Sequence, residues 1–252
     1  MLIESRHRRD FHMSRRHEMS LTADLVALIH RTVADPGLPP EFTPLTDHDH
    51  DEQRTGLLAS HPRDADLWLF AYGSLIWKPA CEIEGQRHAL LRGWHRKFCL
   101  RLLRYRGSPD CPGLMMALDV GGSCRGVAQR IPAKHVEERL DKLLRRETSV
   151  KPVSNMPRWV TVETNEGRQR ALTFAINRKG LTYCGPHTLG ETADILAKAC
   201  GHWGTGAEYL MHTVAHLEDL GIHDRYLWQL QELVARRIKA AAKGREAPIA
   251  AS

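Results

Sequence analysis

Two periodicities divide this chain. From residue 67 to 176, apolar positions come in short unbroken runs or alternate every second residue, the spacing of strands. After residue 188 they recur at three- and four-residue steps, the spacing of helices. Upstream, Leu21, Leu25, Leu28, Ile29 and Val33 predict a helix that Ser20 or Thr22 can cap and that Asp35-Pro36-Gly37 ends. Residues 36–66 carry five prolines and the run Asp47-His48-Asp49-His50-Asp51-Glu52, which predicts a linker or surface arm. Strands are expected over 67–72 and 90–103, the latter interrupted by Gly93. Two more are expected over 114–120 and 125–131, joined as a hairpin by Gly121-Gly122. Pro132 opens a helix with Val136, Leu140, Leu143 and Leu144 on one face. Residues 159–163 and 168–176 form a further hairpin around Asn165-Glu166-Gly167. Thr188-x-x-Glu191 and Thr205-x-x-Glu208 read as capping boxes. The first opens a helix to Gly201 and the second one to Gly221. A last helix spans about 224–242, with Leu227, Leu230, Val234 and Ile238 inward.

Strands and hairpins followed by helices at one end predict an α+β fold, the strands numerous enough to close a small mixed β-barrel with flanking helices. The expected division is an N-terminal tail, helix and linker arm (1–66), a main globular domain (67–242) and a C-terminal tail (243–252). With 42% apolar and 26% charged residues among 252, a real core is expected. No apolar run approaches the roughly 18 residues of a membrane span. The Arg- and His-rich start has no apolar stretch of a secretory signal, so the expected compartment is the cytoplasm. Six cysteines without a C-x-x-C read as reduced, small hydrophobes. The net charge of +6 is spread along the chain, which favours a solvated basic surface over a nucleic-acid partner and suits a small anionic substrate. Nothing in the pattern specifies an oligomeric state.

Phosphate-binding glycine loops, the metalloprotease H-E-x-x-H and the G-x-S-x-G nucleophile elbow are all missing from the sequence. The Asp/His run at 47–52 lacks the spacing of a rigid metal site and reads as a solvated loop. The chemistry therefore centres on two other places. In WLFAYGSLIW a buried strand breaks at Gly73-Ser74, where a sharp turn, with φ > 0 expected at Gly73, can expose successive backbone N–H groups to a carboxylate. Tyr72 and Trp77 can wall the concavity. An ordinary tight turn among core aromatics remains the alternative. The second place is Glu147, three and four residues past Leu144 and Leu143. It continues the buried stripe of its helix, so its carboxylate is either paired with the adjacent arginines or functional. The tryptophans at 94, 159, 203 and 228 read as core.

Together these segments resemble the ChaC-like γ-glutamylcyclotransferases, which act on glutathione. The likeness rests on ordered blocks covering roughly residues 67–235: WLFAYGSLIWKPA (68–80), LLRGWHRKFCLRL (90–102), PGLMMAL (112–118), GSCRGVAQRI (122–131), LLRRE (143–147), YCGP (183–186) and GTGAEYL (204–210). After the Glu, Thr148-Ser149 stands where many relatives have Gly-Tyr, and GVAQR replaces GVAYR. The resemblance implies cleavage of glutathione to 5-oxoproline and Cys-Gly by attack of the substrate's own α-amine, with Glu147 as general acid/base and no metal or cofactor. It implies substrate binding by Leu69, Phe70, Ala71, Tyr72, Gly73, Ser74, Leu75 and Tyr183. The loop backbone would hold either the α-carboxylate or the developing oxyanion. Other γ-glutamyl amines or amino acids, or a non-catalytic regulatory role linked to cation transport, stand as alternatives.

Overall fold

The computed structural model describes residues 18–246. In chain order the elements are α1 (Ala23–Ala27), β1 (Thr43–Pro44), α2 (Asp47–Leu58), β2 (Leu67–Ala71), α3 (Ser74–Trp77), β3 (Gln86–Leu102) and β4 (Gly113–Ile131). Then follow α4 (Val136–Glu147), β5 (Val150–Lys151), β6 (Asn155–Thr164), β7 (Gly167–Ile176), α5 (Leu189–Leu196), β8 (Cys200–Gly201), β9 (Gly204–Thr205), α6 (Gly206–Asp219) and α7 (Arg225–Glu246). Five strands close a barrel in the order β2-β4-β3-β6-β7. It is mixed, as expected: β2 runs parallel to β7 through Leu69–Leu172, and the other neighbours are antiparallel. Every residue of β2 is buried, which explains why Leu67–Ala71 reads as an unbroken apolar run and not an alternating one. Helices α5 and α6 pack on β4, and α7 lies across both. Leu227, Leu230, Val234 and Ile238 all enter the core.

Several expectations need correction. The expected Gly121-Gly122 hairpin is instead a kink inside one long strand. Arg92 pairs with Ser123 and Trp94 with Val120, so Gly93 alone opposes two glycines in a bulge. All three have positive φ (80°, 111° and 66°), which bends the ribbon without ending it. The helix expected from residue 21 lasts only five residues; Thr22 caps it, and the chain leaves it before Val33. Residues 36–66 are not a free linker. The Asp/His run forms the start of α2, where Thr46 and Asp49 make a reciprocal capping box and the acidic residues complement the positive end of the helix dipole. Leu21, Val26 and Ile29 join the main core, and Gln231 of α7 accepts from Leu21 N–H at 2.8 Å. Helix α5 stops well before Gly201, which pairs in β8. Helix α7 continues past residue 242, so the expected C-terminal tail is helical as far as 246; residues 247–252 and the expected tail at 1–17 lie outside the described residues. Trp94, Trp159 and Trp228 pack partly buried on the core, but Trp203 is 62% exposed. At Thr205 only half of the capping box forms: Thr205 accepts from Glu208 N–H, while the Glu208 carboxylate turns to Arg106 at 2.5 Å.

One buried cation ties these layers together. The Arg96 side chain is 2% exposed. Its guanidinium donates to Tyr72 O at 2.6 Å and to the carbonyl of Arg125, and it pairs with Asp224 at 2.9 Å. Asp224 also accepts from Leu227 N–H at 3.1 Å and so caps α7. Replacing Arg96 with Met should strip a charge-assisted bond from the end of β2 and leave Asp224 without its cation. The expected loss is about 3–5 kcal/mol of unfolding free energy. Urea denaturation with an unchanged m-value would check it, and a loss under about 1 kcal/mol would refute the role.

Candidate active site

Helix α4 presents Glu147 because its apolar stripe ends there. Leu143 and Leu144 are fully buried, and Thr148 closes the helix by donating both its N–H and its hydroxyl to Leu144 O at 2.8 and 2.7 Å. Helix α2 braces that end: Arg54 pairs with Asp141 at 2.9 Å, Arg145 with Asp47 at 2.7 Å, and the Gln53 side chain meets the Thr148 hydroxyl at 2.9 Å. The Glu147 side chain, 16% exposed, lines a cavity of about 450 Å³. Burial raises its pKa above the ordinary 4.5, and the Arg146 guanidinium, 3.3 Å away, opposes the rise. The carboxylate is therefore paired with an adjacent arginine, as one of the two alternatives had it, and it also faces a cavity.

The opposite wall is the break after β2. Tyr72, Gly73, Ser74 and Leu75 all line the cavity, as does Trp77. The chain turns into α3 with Ile76 N–H donating to Gly73 O and Lys78 N–H to Ser74 O, at 2.9 and 2.7 Å. As the first-turn donors, Ser74 and Leu75 N–H have no carbonyl partner within the helix. Gln129 of β4 fixes the loop from behind by donating to Leu75 O at 3.3 Å. Arg146 links the two walls, donating to Ser74 Oγ at 3.4 Å and to the carbonyl of Lys78. Asn155 of β6 donates to the free Glu147 Oε2 at 3.5 Å.

Two phenols complete the floor. Tyr72 OH donates to Phe174 O at 2.9 Å, and burial drives its pKa well above 10. Tyr209 of α6 is pushed up to about 12 by burial and, next, by the nearby Glu147 charge. Both therefore stay neutral donors at any physiological pH.

Of the residues expected to bind substrate, Tyr72, Gly73, Ser74 and Leu75 meet at the cavity with Glu147. Leu69, Phe70 and Ala71 do not line it; they are fully buried in β2. Tyr183 is elsewhere. It bridges Leu100 across an isolated β-contact, packs with Cys99, Ala117 and Ile176, and turns its hydroxyl to Asp119 at 3.4 Å. Gly73 has φ −147°, not the positive value expected. Its constraint is close approach: a Cβ would come within 2.9 Å of Met116 Cε and 3.1 Å of Tyr209 OH. The sequence reading missed Asn155, Gln129 and Tyr209, and it took Arg146 only as a possible ion-pair partner. Tyr209 sits in the GTGAEYL block and Gln129 is the departure in GVAQR, so a signal existed for both; Asn155 is placed by barrel closure alone. Among the described residues no cluster of His, Cys, Asp and Glu could hold a metal, and no helix is long and apolar enough to cross a membrane.

Residues 67–237 match the family described as ChaC-like protein. Among curated relatives, the glutathione-specific gamma-glutamylcyclotransferase of Escherichia coli K12 is 36% identical over 178 residues, covering 69% of this chain and 76% of that protein. Gamma-glutamylcyclotransferase 2-3 of Arabidopsis thaliana is 27% identical over 177 residues, covering 67% and 88%. The fold matches a yeast crystal structure described as a gamma-glutamyl cyclotransferase specific to glutathione, with TM-score 0.61 at 22% identity over 69% of this chain and 97% of that one.

Two outcomes are expected here. Because the folded-state pKa of Glu147 is raised, the folded state holds its proton more tightly than the unfolded chain, so stability falls as pH rises through the interval above 4.5. Glu147→Gln should therefore melt higher than the parent at pH 7, with the gain vanishing at pH 4; a lower melting temperature at pH 7 would contradict the burial cost. Gly73→Ala should cost only about 1 kcal/mol of stability, because the tip of Met116 can swing away, yet displace Tyr209 and lower kcat/KM about tenfold. Steady-state kinetics at parental values would show the close approach to be unimportant.

Proposed function

We propose that this chain, which belongs to the ChaC-like family, degrades glutathione as a γ-glutamylcyclotransferase, releasing 5-oxoproline and cysteinylglycine. The curated relatives carry that activity in their names. The observation that carries the reading is a shielded carboxylate of raised pKa on one wall and a Gly-Ser turn on the other, joined by Arg146. The chemistry needs little else. The substrate's α-amine attacks its own γ-carbonyl, and five-membered ring closure already has high effective molarity once the conformer is held.

What the protein adds is proton handling. An α-amine titrates near 8 and a free glutamate near 4.3, so full transfer between them costs about 5 kcal/mol. Raising the Glu147 pKa reduces that cost, and the same group can return the proton to the departing cysteinyl nitrogen. Lys78, Arg106 and Arg146 line the cavity; Glu208 pairs with Arg106 and Glu147 with Arg146, so Lys78 leaves a positive surplus suited to an anionic substrate. The backbone of Ser74 and Leu75 serves the α-carboxylate or the developing oxyanion. The proposed compartment is the cytoplasm, where glutathione and free thiols coexist; all six cysteines are unpaired.

Glu147→Gln should lower kcat for 5-oxoproline release by about 10²–10⁴-fold while glutathione still binds. In the parent, kcat/KM should fall toward acid with a limb above pH 4.5, since the base must be ionised. An unchanged kcat in the variant would remove Glu147 from the mechanism.

A further inference from the structure

Next to the first cavity lies a second of about 270 Å³, and Leu100, Met115, Glu147 and Asn155 line both. Its outer wall is Leu38, Pro39 and Phe42 of the N-terminal arm, which lies outside the span matching the ChaC-like family. The arm is tied down on both sides of this wall. Before it, Arg104 grips Asp35 with two bonds of 2.6 and 2.5 Å. After it, β1 pairs with β5, and Leu45 N–H donates to Ser149 O at 3.1 Å. Residues 38–42 are thus a fixed strap. Behind them Leu102, Leu103, Val150 and Val153 make the inner wall apolar. Two buried polar atoms there, Asn155 Oδ1 and Thr182 Oγ1, have no partner. The cavities also adjoin through aromatic rings: Tyr105 lines the second, Trp203 the first, and their centroids are 4.4 Å apart.

We propose that the second cavity receives an apolar group carried on the sulfur of the substrate, so that the chain accepts S-alkyl and S-aryl derivatives of glutathione. This rests on the cyclotransferase reading above. The leaving nitrogen must lie beside Glu147, which faces both cavities, and the cysteinyl sulfur is a short side chain away from it. An apolar cavity of about 150 Å³ holds benzene, so an aryl ring fits here with room to spare. The glycyl carboxylate is a poorer occupant, because the walls are largely apolar and the two arginines at the lining, Arg101 and Arg104, stand against Glu41 and Glu147, with Arg104 already held by Asp35. The unpartnered Asn155 and Thr182 oxygens can accept from the N–H groups of the leaving dipeptide. The reaction is otherwise the same: the lactam C–N bond forms, the γ-amide C–N bond breaks, and the amine proton passes to the leaving nitrogen. The S-substituted cysteinylglycine departs with its thioether intact.

The test is calorimetric titration of the full chain carrying Glu147→Gln with glutathione and with S-benzylglutathione. The benzyl compound should bind at least about tenfold tighter, as expected for burying one ring. Adding Phe42→Asp or, separately, Leu38→Asp should erase that preference and leave glutathione affinity within about twofold, since both are partly exposed arm positions. Melting curves confirm that each variant is folded, and either one suffices. Equal affinities in the parent, or a preference that survives both aspartates, overturn the subsite. If the chain with Glu147 intact releases no 5-oxoproline from either compound, the cyclotransferase reading falls, while the binding comparison still decides the subsite.

Discussion

The structure turns on the point where β2 leaves the barrel. A strand buried on both faces cannot simply stop, because its last carbonyls need partners that water cannot supply. Arg96 solves this for Tyr72 and in the same gesture fastens β4 at Arg125 and the capped start of α7 at Asp224. The Gly73–Ser74 turn is therefore not a flexible loop over a scaffold. Its floor is Tyr209 and Met116, its rear is Gln129, and its entry is a buried guanidinium. A rigid turn of this kind positions donors without having to order them on binding.

The facing wall follows a different logic. Glu147 is the last residue of α4, and helix ends fray unless held. Here Thr148 closes the helix and α2 clamps its last turn through Arg54, Gln53 and Asp47. The region before residue 67 thus contributes to the site twice, once by steadying Glu147 and once by walling the adjoining cavity. Holding a carboxylate in this setting costs stability above pH 4.5, and Arg146 offsets part of that cost while spanning to Ser74. The same desolvation that destabilises the fold makes the group more basic.

The local pattern was sufficient for much of this. The strand ending at Gly73, the inward stripe that Glu147 continues, the box at Thr188 and the inward face of α7 each depend on neighbours within a few residues. Backbone geometry and side-chain periodicity therefore specify them directly. The same is true of the absence of a nucleophile or phosphate motif, and of the ordered blocks that pointed to the family.

What the pattern misjudged depends on partners distant in sequence. Gly121-Gly122 reads as a hairpin turn, but β3 supplies Gly93 opposite it, and two strands bulging together bend without reversing. The run at 47–52 reads as a solvated loop, yet a cap at Thr46 and a docking surface on α4 make it a helix. Tyr183 lies in a signature block, but barrel closure sends it to Asp119, away from the cavity, while Asn155 arrives there with no local signal and Gln129, visible only as the departure in GVAQR, gains its place behind Leu75 from strand pairing. The sequence by itself determined where the strand breaks at 73–74 and which face of its helix carries Glu147, because strand ends and helical phase are short-range. Only the tertiary structure decided which polar side chains meet them, because that is set by which strands the barrel makes neighbours.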